Sequence, residues 1–379
     1  MKHVHIGTGG LGLGLIGHIS ASLDFDLWLV AHNSNNANTV AVNRALERSP
    51  AKMYSINHFG EEYELQISYA GLIYYDRSDF LALMNLVADE STRLLTISIG
   101  SDRYKHIGEI LYACLLERRK RRISEKIIVI VAENAYLSSD FLQSILNQNG
   151  SVVSIDRKRV LDKLALFIDC VVDRICHSPK VKDDHVYVNT ESYGKWILKK
   201  RTEIVPMLNK IKKNPVAWQN FEQFVRISDD FEFERSAKLL MVNSAHALIA
   251  GYAYQRGKNR LDHYLSEDSE GRCVLEELVN ELFELASSLY HKPKFETPLR
   301  SYKEETAVRF QKTPDEVDRI LEKLLHGGNL LAFRLGMYEK LGKILEAVAQ
   351  RPCAFRPTAW KIMSLFCALD KIAGKTPNQ

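Results

Sequence analysis

No apolar run in this 379-residue sequence reaches the ~18 residues that a helix needs to cross a bilayer. The start carries no secretion signal either. The apolar stretch 11–16 is threaded with glycine, and no small-residue cleavage site follows it. The chain is therefore expected in the cytoplasm, with no membrane partner. Cysteine is scarce. The six residues Cys114, Cys170, Cys176, Cys273, Cys353 and Cys367 form no CxxC pair and no dense framework. That excludes a disulfide scaffold and implies reduced thiols. A strong charge of one sign is also missing. The 51 Lys and Arg against 47 Asp and Glu leave +4, too little to argue for nucleic acid. The one dense charge run, 118–122 (RRKRR), directly precedes an apolar strand and reads as the solvated end of a helix. The twelve histidines lack the ligand spacings of a zinc site, so no metal is expected.

What is present is patterned. The first half alternates dense apolar runs with helical periodicity, the mark of βαβ units. Strands are expected at 4–6, 26–31, 94–99 and 127–131, with a side strand at 63–69, and helices at 11–23 and 38–47. Runs as apolar as 94–99 (LLTISI) and 127–131 (IIVIV) suit strands covered on both faces, so one open sheet over roughly the first 190 residues is the economical arrangement. From about Tyr193 the pattern turns helical, with helices expected at 237–254, 273–290, 314–325 and 330–349. Thr313 and Pro314 read as an N-cap and first-turn pair. The expected fold class is α/β: a Rossmann-type, mostly parallel sheet domain over 1–192, followed by a mostly α-helical catalytic domain over 193–379.

Glycine is concentrated at the start, where Gly7, Gly9, Gly10, Gly12, Gly14 and Gly17 fall close together. Val4-His5-Ile6-Gly7-Thr8-Gly9-Gly10-Leu11-Gly12 fits strand, G-x-G-x-x-G, helix. Gly7 suits a tight turn, Gly9 a close approach to pyrophosphate, and Gly12 close helix–strand packing. A dinucleotide, NAD or NADP, is the cofactor these residues imply. Gly7, Thr8, Gly9, Gly10, Leu11 and Gly12 would hold it, with Ile99 and Gly100 at the end of a later strand. The usual ribose-binding carboxylate is missing from the end of the second strand, where His32 and Asn33 stand instead. Coenzyme choice stays open at this point.

Three further groups stand out. Asn134 follows the strand 127–131 on the ligand side expected of an open α/β sheet, and reads equally as a turn asparagine or a substrate ligand. Asp173 and Arg174 form a charged pair in an apolar context, either a structural ion pair or part of a substrate site. Lys238, Asn243 and His246 lie within roughly 140° of one face of an otherwise apolar helix. A desolvated lysine there loses its preference for the charged form and becomes a usable general base. Taken singly, each of the three could be structural.

Together these segments resemble the long-chain polyol dehydrogenases, the mannitol dehydrogenase family. GTGGLGLGLIG at 7–17, AENA at 132–135, VVDRICHS at 171–178 and KLLMVNSAH at 238–246 carry the resemblance, in the family's order. VYVNTESYGKWIL at 186–198 extends it. The resemblance implies Lys238 as general acid/base, Asn134 and Asn243 on the reacting oxygen, His246 placing substrate, and Asp173 lining the substrate site. It implies a metal-free enzyme acting on a small-molecule polyol or sugar phosphate, and a monomer. The departures touch specificity. Leu13 replaces an arginine of the sugar-phosphate members, and Ala132 a cysteine. Cys176, His177 and Ser178 replace a hydrophobic-proline run, and the segment 309–319 lacks an Arg-x-Pro-Leu-Arg run. A hydroxy-acid or sugar-acid dehydrogenase and a non-catalytic nicotinamide-nucleotide sensor are the alternatives.

Overall fold

A computed structural model describes residues 1–76, 79–100, 103–133, 141, 145, 155–211 and 215–325. The chain forms two compact units, Met1–Phe231 and Glu232–Gln379. The expected helix 330–349, Asn134, Cys353 and Cys367 lie outside the described residues.

The first unit carries the described strands: β1 (Lys2–Ile6), β2 (Asp26–Ala31), β3 (Met53–His58), β4 (Glu64–Ser68), β5 (Gly71–Tyr74), β6 (Thr92–Ile97), β7 (Ile127–Val131), β8 (Ala165–Ile168), β9 (Cys170–Asp173), β10 (Lys180–Lys182), β11 (His185–Thr190), β12 (Lys195–Lys199) and β13 (Val225–Ser228). Six of them make one parallel sheet in the order β5-β2-β1-β6-β7-β8. The order reverses direction between β1 and β6, the switch point at which such sheets bind ligands. Burial on both faces explains the unbroken apolar runs. On β7, Ile127, Val129 and Val131 join the cluster holding Val4, Leu111 and Leu161. Ile128 and Ile130 join the other, with Leu15, Ile16 and Ile19. Each fully buried aliphatic side chain contributes roughly 1.5–3 kcal/mol of transfer free energy.

The single sheet expected over the first 190 residues is instead three. A four-stranded sheet runs β10-β11-β3-β4 and a three-stranded sheet β13-β12-β9. In the four-stranded sheet β11 alternates between buried and half-buried positions, so it has one apolar face to cover. The four-stranded sheet covers its face with Leu13 and the helix Ala37–Arg48, through Tyr54, Ile56, Val186 and Val188. The pairing of β12 with β9 and β13 holds these three strands together within the first unit.

The charge run 118–122 ends the helix Tyr104–Lys120. Arg118 is not solvated as expected but fully buried. Its guanidinium donates to the carbonyls of Val87 (2.7 Å), Asp89 (3.0 Å) and Glu125 (2.8 Å). It thereby satisfies carbonyls that would otherwise be buried without partners.

The second unit is helical as described: Phe231–Lys238, a π-turn Leu239–Ser244, Ala245–Gln255, Leu261–Glu267, Ser269–Leu289, Pro293–Lys312 and Val317–Leu325. Gly257 (φ 66°) stops the third of these. Its N–H bonds Tyr254 O and the N–H of Lys258 bonds Ala253 O, a Schellman closure that requires a left-handed residue. Asp268 starts Ser269–Leu289 by accepting from the N–H groups of Glu270 (2.8 Å) and Gly271 (3.2 Å). The last helix begins at Val317, so Thr313 and Pro314 do not cap it. The reason is local. Asp315 O accepts from Leu261 N, and Val317 N donates to Asn259 O, both at 2.9 Å. This backbone is committed to its neighbour and not to a helical turn.

Candidate active site

In the first unit, β1 ends at Ile6 and the chain turns through Gly7 at φ 127°. A Cβ there would sit 2.3 Å from the Ser98 carbonyl oxygen, so the turn requires glycine. Gly9 is exposed, and a Cβ on it would meet nothing within 4 Å. A continuous helical stretch begins at Gly10, with Leu13 N–H donating to Gly9 O (3.0 Å), and runs through the π-turn Gly12–Ile16 into Gly17–Ser22. The amides of its first turn have no partner within the helix and face the anion side of the dipole. An open glycine at a helix N-terminus, at the switch point of a parallel sheet, fits a dinucleotide pyrophosphate. Gly12 is held down from below, where a Cβ would come within 2.4 Å of His5 Nε2.

A buried polar chain underlies this turn. His3 Nε2 and His5 Nδ1 both share Thr96 Oγ1 at 2.7 Å, and His5 Nε2 meets Ser98 Oγ at 3.0 Å. Burial drives the His5 imidazole down to about 3, and drives His3 well below its ordinary value with help from the neighbouring His5. Both rings are neutral supports. Thr8 Oγ1 donates to Asn43 Oδ1 (2.6 Å), and Asn43 Nδ2 donates to His32 O (3.2 Å). Asn43 thus ties the glycine loop to the end of β2. It sits on the buried side of the helix Ala37–Arg48, where apolar neighbours conceal it in a sequence reading.

His32 stacks on Tyr75 and its ring faces the Arg103 guanidinium. The Asn33 N–H donates to Asp76 Oδ2 at 2.7 Å. A carboxylate therefore does stand at the end of β2, supplied by the segment that follows its neighbour β5. Ile99 is buried and Gly100 exposed, just beyond β6, which ends at Ile97.

Asp173, at the end of β9, is buried. Arg174 is a clamp. It donates to Tyr193 O (2.8 Å), Gly14 O (2.8 Å) and Ser192 O (3.0 Å), and its NH1 lies 3.2 Å from His18 Nδ1. Burial, then the Arg174 and His58 charges, push the His18 imidazole down to about 3. These bonds commit Arg174 to the backbone of the glycine-rich helix and of the 192–193 turn. The substituted residues Cys176 and His177 lie nearby, with His177 O 2.2 Å from where a Cβ of Gly10 would stand.

In the second unit, Lys238 ends the helix Phe231–Lys238 and is buried, 6% exposed. Asn243 lies in the π-turn and His246 one turn beyond. Five residues in an α-helix put side chains about 140° apart. A π-turn bonds five residues back, so it brings Lys238 and Asn243 towards one face. Ser244 Oγ supports it by donating to Leu239 O at 2.9 Å. His246 stacks on Phe310, with centroids 4.6 Å apart, and its Nε2 lies 3.2 Å from Asp315 Oδ2. Asp315 is buried, and Arg319 grips it from Nε (2.7 Å) and NH2 (2.5 Å). Burial would raise its carboxyl, but the bond and charge of His246 and the charge of Arg319 hold it below the usual carboxylate range. Asp315 escaped the sequence reading because Thr-Pro-Asp looks like a helix start. Among the described residues no group of three or more His, Cys, Asp or Glu is arranged to hold a metal, and no helix is long and apolar enough to cross a membrane.

The comparisons agree with this architecture. A mannitol-1-phosphate 5-dehydrogenase of Lactococcus lactis subsp. lactis (strain IL1403) is 26% identical over 322 residues, 84% of this chain and 76% of that protein. The mannitol 2-dehydrogenase of Pseudomonas fluorescens, solved as a ternary complex with NAD and D-mannitol, shares the fold at a TM-score of 0.61 and 15% identity, over 84% of this chain and 71% of that one. A D-sorbitol dehydrogenase in substrate-free form does so at a TM-score of 0.64 and 16% identity, over 84% and 72%. The family model described as the mannitol dehydrogenase Rossmann domain matches residues 1–211, more than half of the chain. The protein belongs to the mannitol dehydrogenase family.

Proposed function

We propose that this NAD(P)-dependent dehydrogenase of CH–OH groups interconverts a polyol phosphate and its ketose phosphate, with mannitol 1-phosphate and fructose 6-phosphate as the first pair to test. The observation that carries the chemistry is a buried lysine at the start of a π-turn, with an asparagine one π-turn on and a carboxylate-held histidine beyond it. Lys238 as the neutral amine takes the hydroxyl proton in oxidation, and as ammonium returns it to the developing alkoxide in reduction. The Asn243 amide donates to that oxygen as charge builds on it, with Asn134 as a second donor. His246 orients the substrate, and Asp173 lines its site. The nicotinamide, when bound, accepts or supplies the hydride. No step calls on a metal.

The glycine turn Gly7–Gly12, with Thr8, Gly10, Leu11, His32, Asn33, Ile99 and Gly100, holds the coenzyme. Asp76 takes the place of the absent β2 carboxylate and favours the ribose hydroxyls of NAD over a 2′-phosphate. Arg174 acts by fixing the backbone around Asp173 and the glycine-rich helix, not by touching substrate. The proposed enzyme is cytoplasmic and monomeric, with no nucleic-acid or membrane partner.

The test is absorbance at the reduced-nicotinamide band with ketose phosphates, free ketoses and keto acids, each with NADH and NADPH. Rapid oxidation with fructose 6-phosphate supports the proposal. Turnover with a keto acid alone transfers the assignment to a hydroxy-acid dehydrogenase. Coenzyme binding without turnover on any substrate makes the protein a sensor.

A further inference from the structure

His246 is held more firmly than a substrate-binding histidine requires for packing alone. Its ring lies nearly parallel to Phe310, at 25°, which fixes the plane. Nε2 lies 3.2 Å from Asp315 Oδ2, an ion-pair distance that has not closed into an aligned hydrogen bond, so the carboxylate is the polar group beside that nitrogen. Asp315 is in turn immobilised. Arg319 reaches both of its oxygens, and Asp315 O accepts from Leu261 N. Its own N–H points to Asp262 Oδ1 at 3.4 Å, and Asp262 is bound through both oxygens by Arg260 at 2.8 and 2.6 Å. A buried ion pair of this kind is poor value for stability, since its desolvation cost offsets most of the attraction. Its yield is orientation.

We infer that Asp315 is a positioning residue of the reaction, which takes the Nε2–H of His246 and thereby turns Nδ1 to the substrate. The inference rests on the reading of His246 as a substrate residue. With a carboxylate on Nε2, the neutral ring carries its proton there and presents an Nδ1 lone pair. That lone pair accepts a hydrogen bond from a substrate hydroxyl. Arg319 keeps the carboxylate ionised, so the tautomer stays fixed. Neither Asp315 nor Arg319 needs to touch the substrate.

Two measurements test this. In the unmodified enzyme, imidazole 15N shifts, with His246 assigned by loss of its signals in His246→Asn, report the tautomer. The Nε2–H form is expected, and the Nδ1–H form overturns the inference. Steady-state kinetics then compare Asp315→Asn, His246→Ala and the double variant. A misplaced reacting partner costs on the order of 10²-fold, so Asp315→Asn should lower kcat/KM for the sugar by about that much and leave the KM for coenzyme unchanged. The double variant should be no worse than His246→Ala, because both substitutions remove one function. Additive losses, or a fully active Asp315→Asn beside an impaired His246→Ala, overturn the positioning role. A His246→Ala enzyme of normal activity sinks instead the reading on which it rests. Should Asp315→Asn fail to fold, the tautomer measurement decides alone.

Discussion

Lowering the pH from about 7.5 to about 5.5 should destabilise the first unit far more than its ordinary carboxylates can explain, because those still titrate below this window. The cause is three buried histidines. His5 and His18 are driven to about 3 and His3 well below its ordinary value, all chiefly by burial. In the unfolded chain each takes a proton near pH 6.5, and in the folded chain none does. The unfolded state then binds more protons, so stability rises with pH across the window from about 3 to 6.5 and is lost as pH falls through it. One unit below 6.5 the loss is about 1.4 kcal/mol per histidine, or about 4 kcal/mol for three. That is a large part of a typical stability of about 5–15 kcal/mol. Urea unfolding followed by circular dichroism at the two pH values measures the loss. His3→Gln/His5→Asn should reduce it to the share of His18, about 1.4 kcal/mol, with a smaller part from His58, which is lowered in the same direction. A double variant with the same loss as the parent would refute the reasoning, as would a parent whose stability is flat between the two pH values.

Four other outcomes are expected. Lys238→Ala should lower kcat by roughly 10²–10⁴-fold while coenzyme affinity, read by titration of reduced-nicotinamide fluorescence, stays within about twofold. Asn243→Ala should cost about 10²–10³-fold in kcat if its amide meets the developing oxyanion, measured on the same substrate. Asp76→Asn should raise the NADPH-to-NADH ratio of kcat/KM by about tenfold, the equivalent of about 1.4 kcal/mol, and an unchanged ratio would remove Asp76 from coenzyme selection. Gly17→Ala should lower the thermal midpoint, because its Cβ would fall 1.7 Å from Tyr54 OH; overpacking of this kind costs roughly 1–3 kcal/mol, and Tyr54→Phe should restore part of it.

The parallel core was legible because the strands buried on both faces cannot hide. Residues 26–31 and 127–131 were bounded as the structure has them. The glycine turn was legible because Gly7 and Gly12 answer to hard steric limits visible in their spacing. The strands β3 and β9–β13 were not, since they are short, three to six residues each, and most carry polar or charged residues. The pairing of β3 with β11 also crosses more than a hundred residues. The helix Pro293–Lys312 was masked by Pro298 within it and by its charge. Arg118 and Arg174 read as surface or substrate charges, yet both spend their donors on buried carbonyls, which no local pattern records.

The π-turn Leu239–Ser244 was the least legible feature and the most consequential for the proposed chemistry. A helical wheel at 100° per residue places Lys238 and Asn243 about 140° apart, at the wide edge of a single face. A one-residue widening cuts that separation to roughly 40°, and nothing in the composition of LLMVNS announces it. Such turns cost hydrogen-bond quality and persist mainly at functional sites. Here the second unit places one between the lysine and the asparagine of the family's helix, and Ser244 supports it from its own side chain. The spacing Lys-x₄-Asn-x₂-His therefore has a physical meaning that an α-helix denies it. It brings acid/base, oxyanion donor and orienting histidine towards one face, and substitutions that restored regular α-helical pitch while keeping the five-residue spacing should return Lys238 and Asn243 to about 140° apart without changing a single catalytic residue.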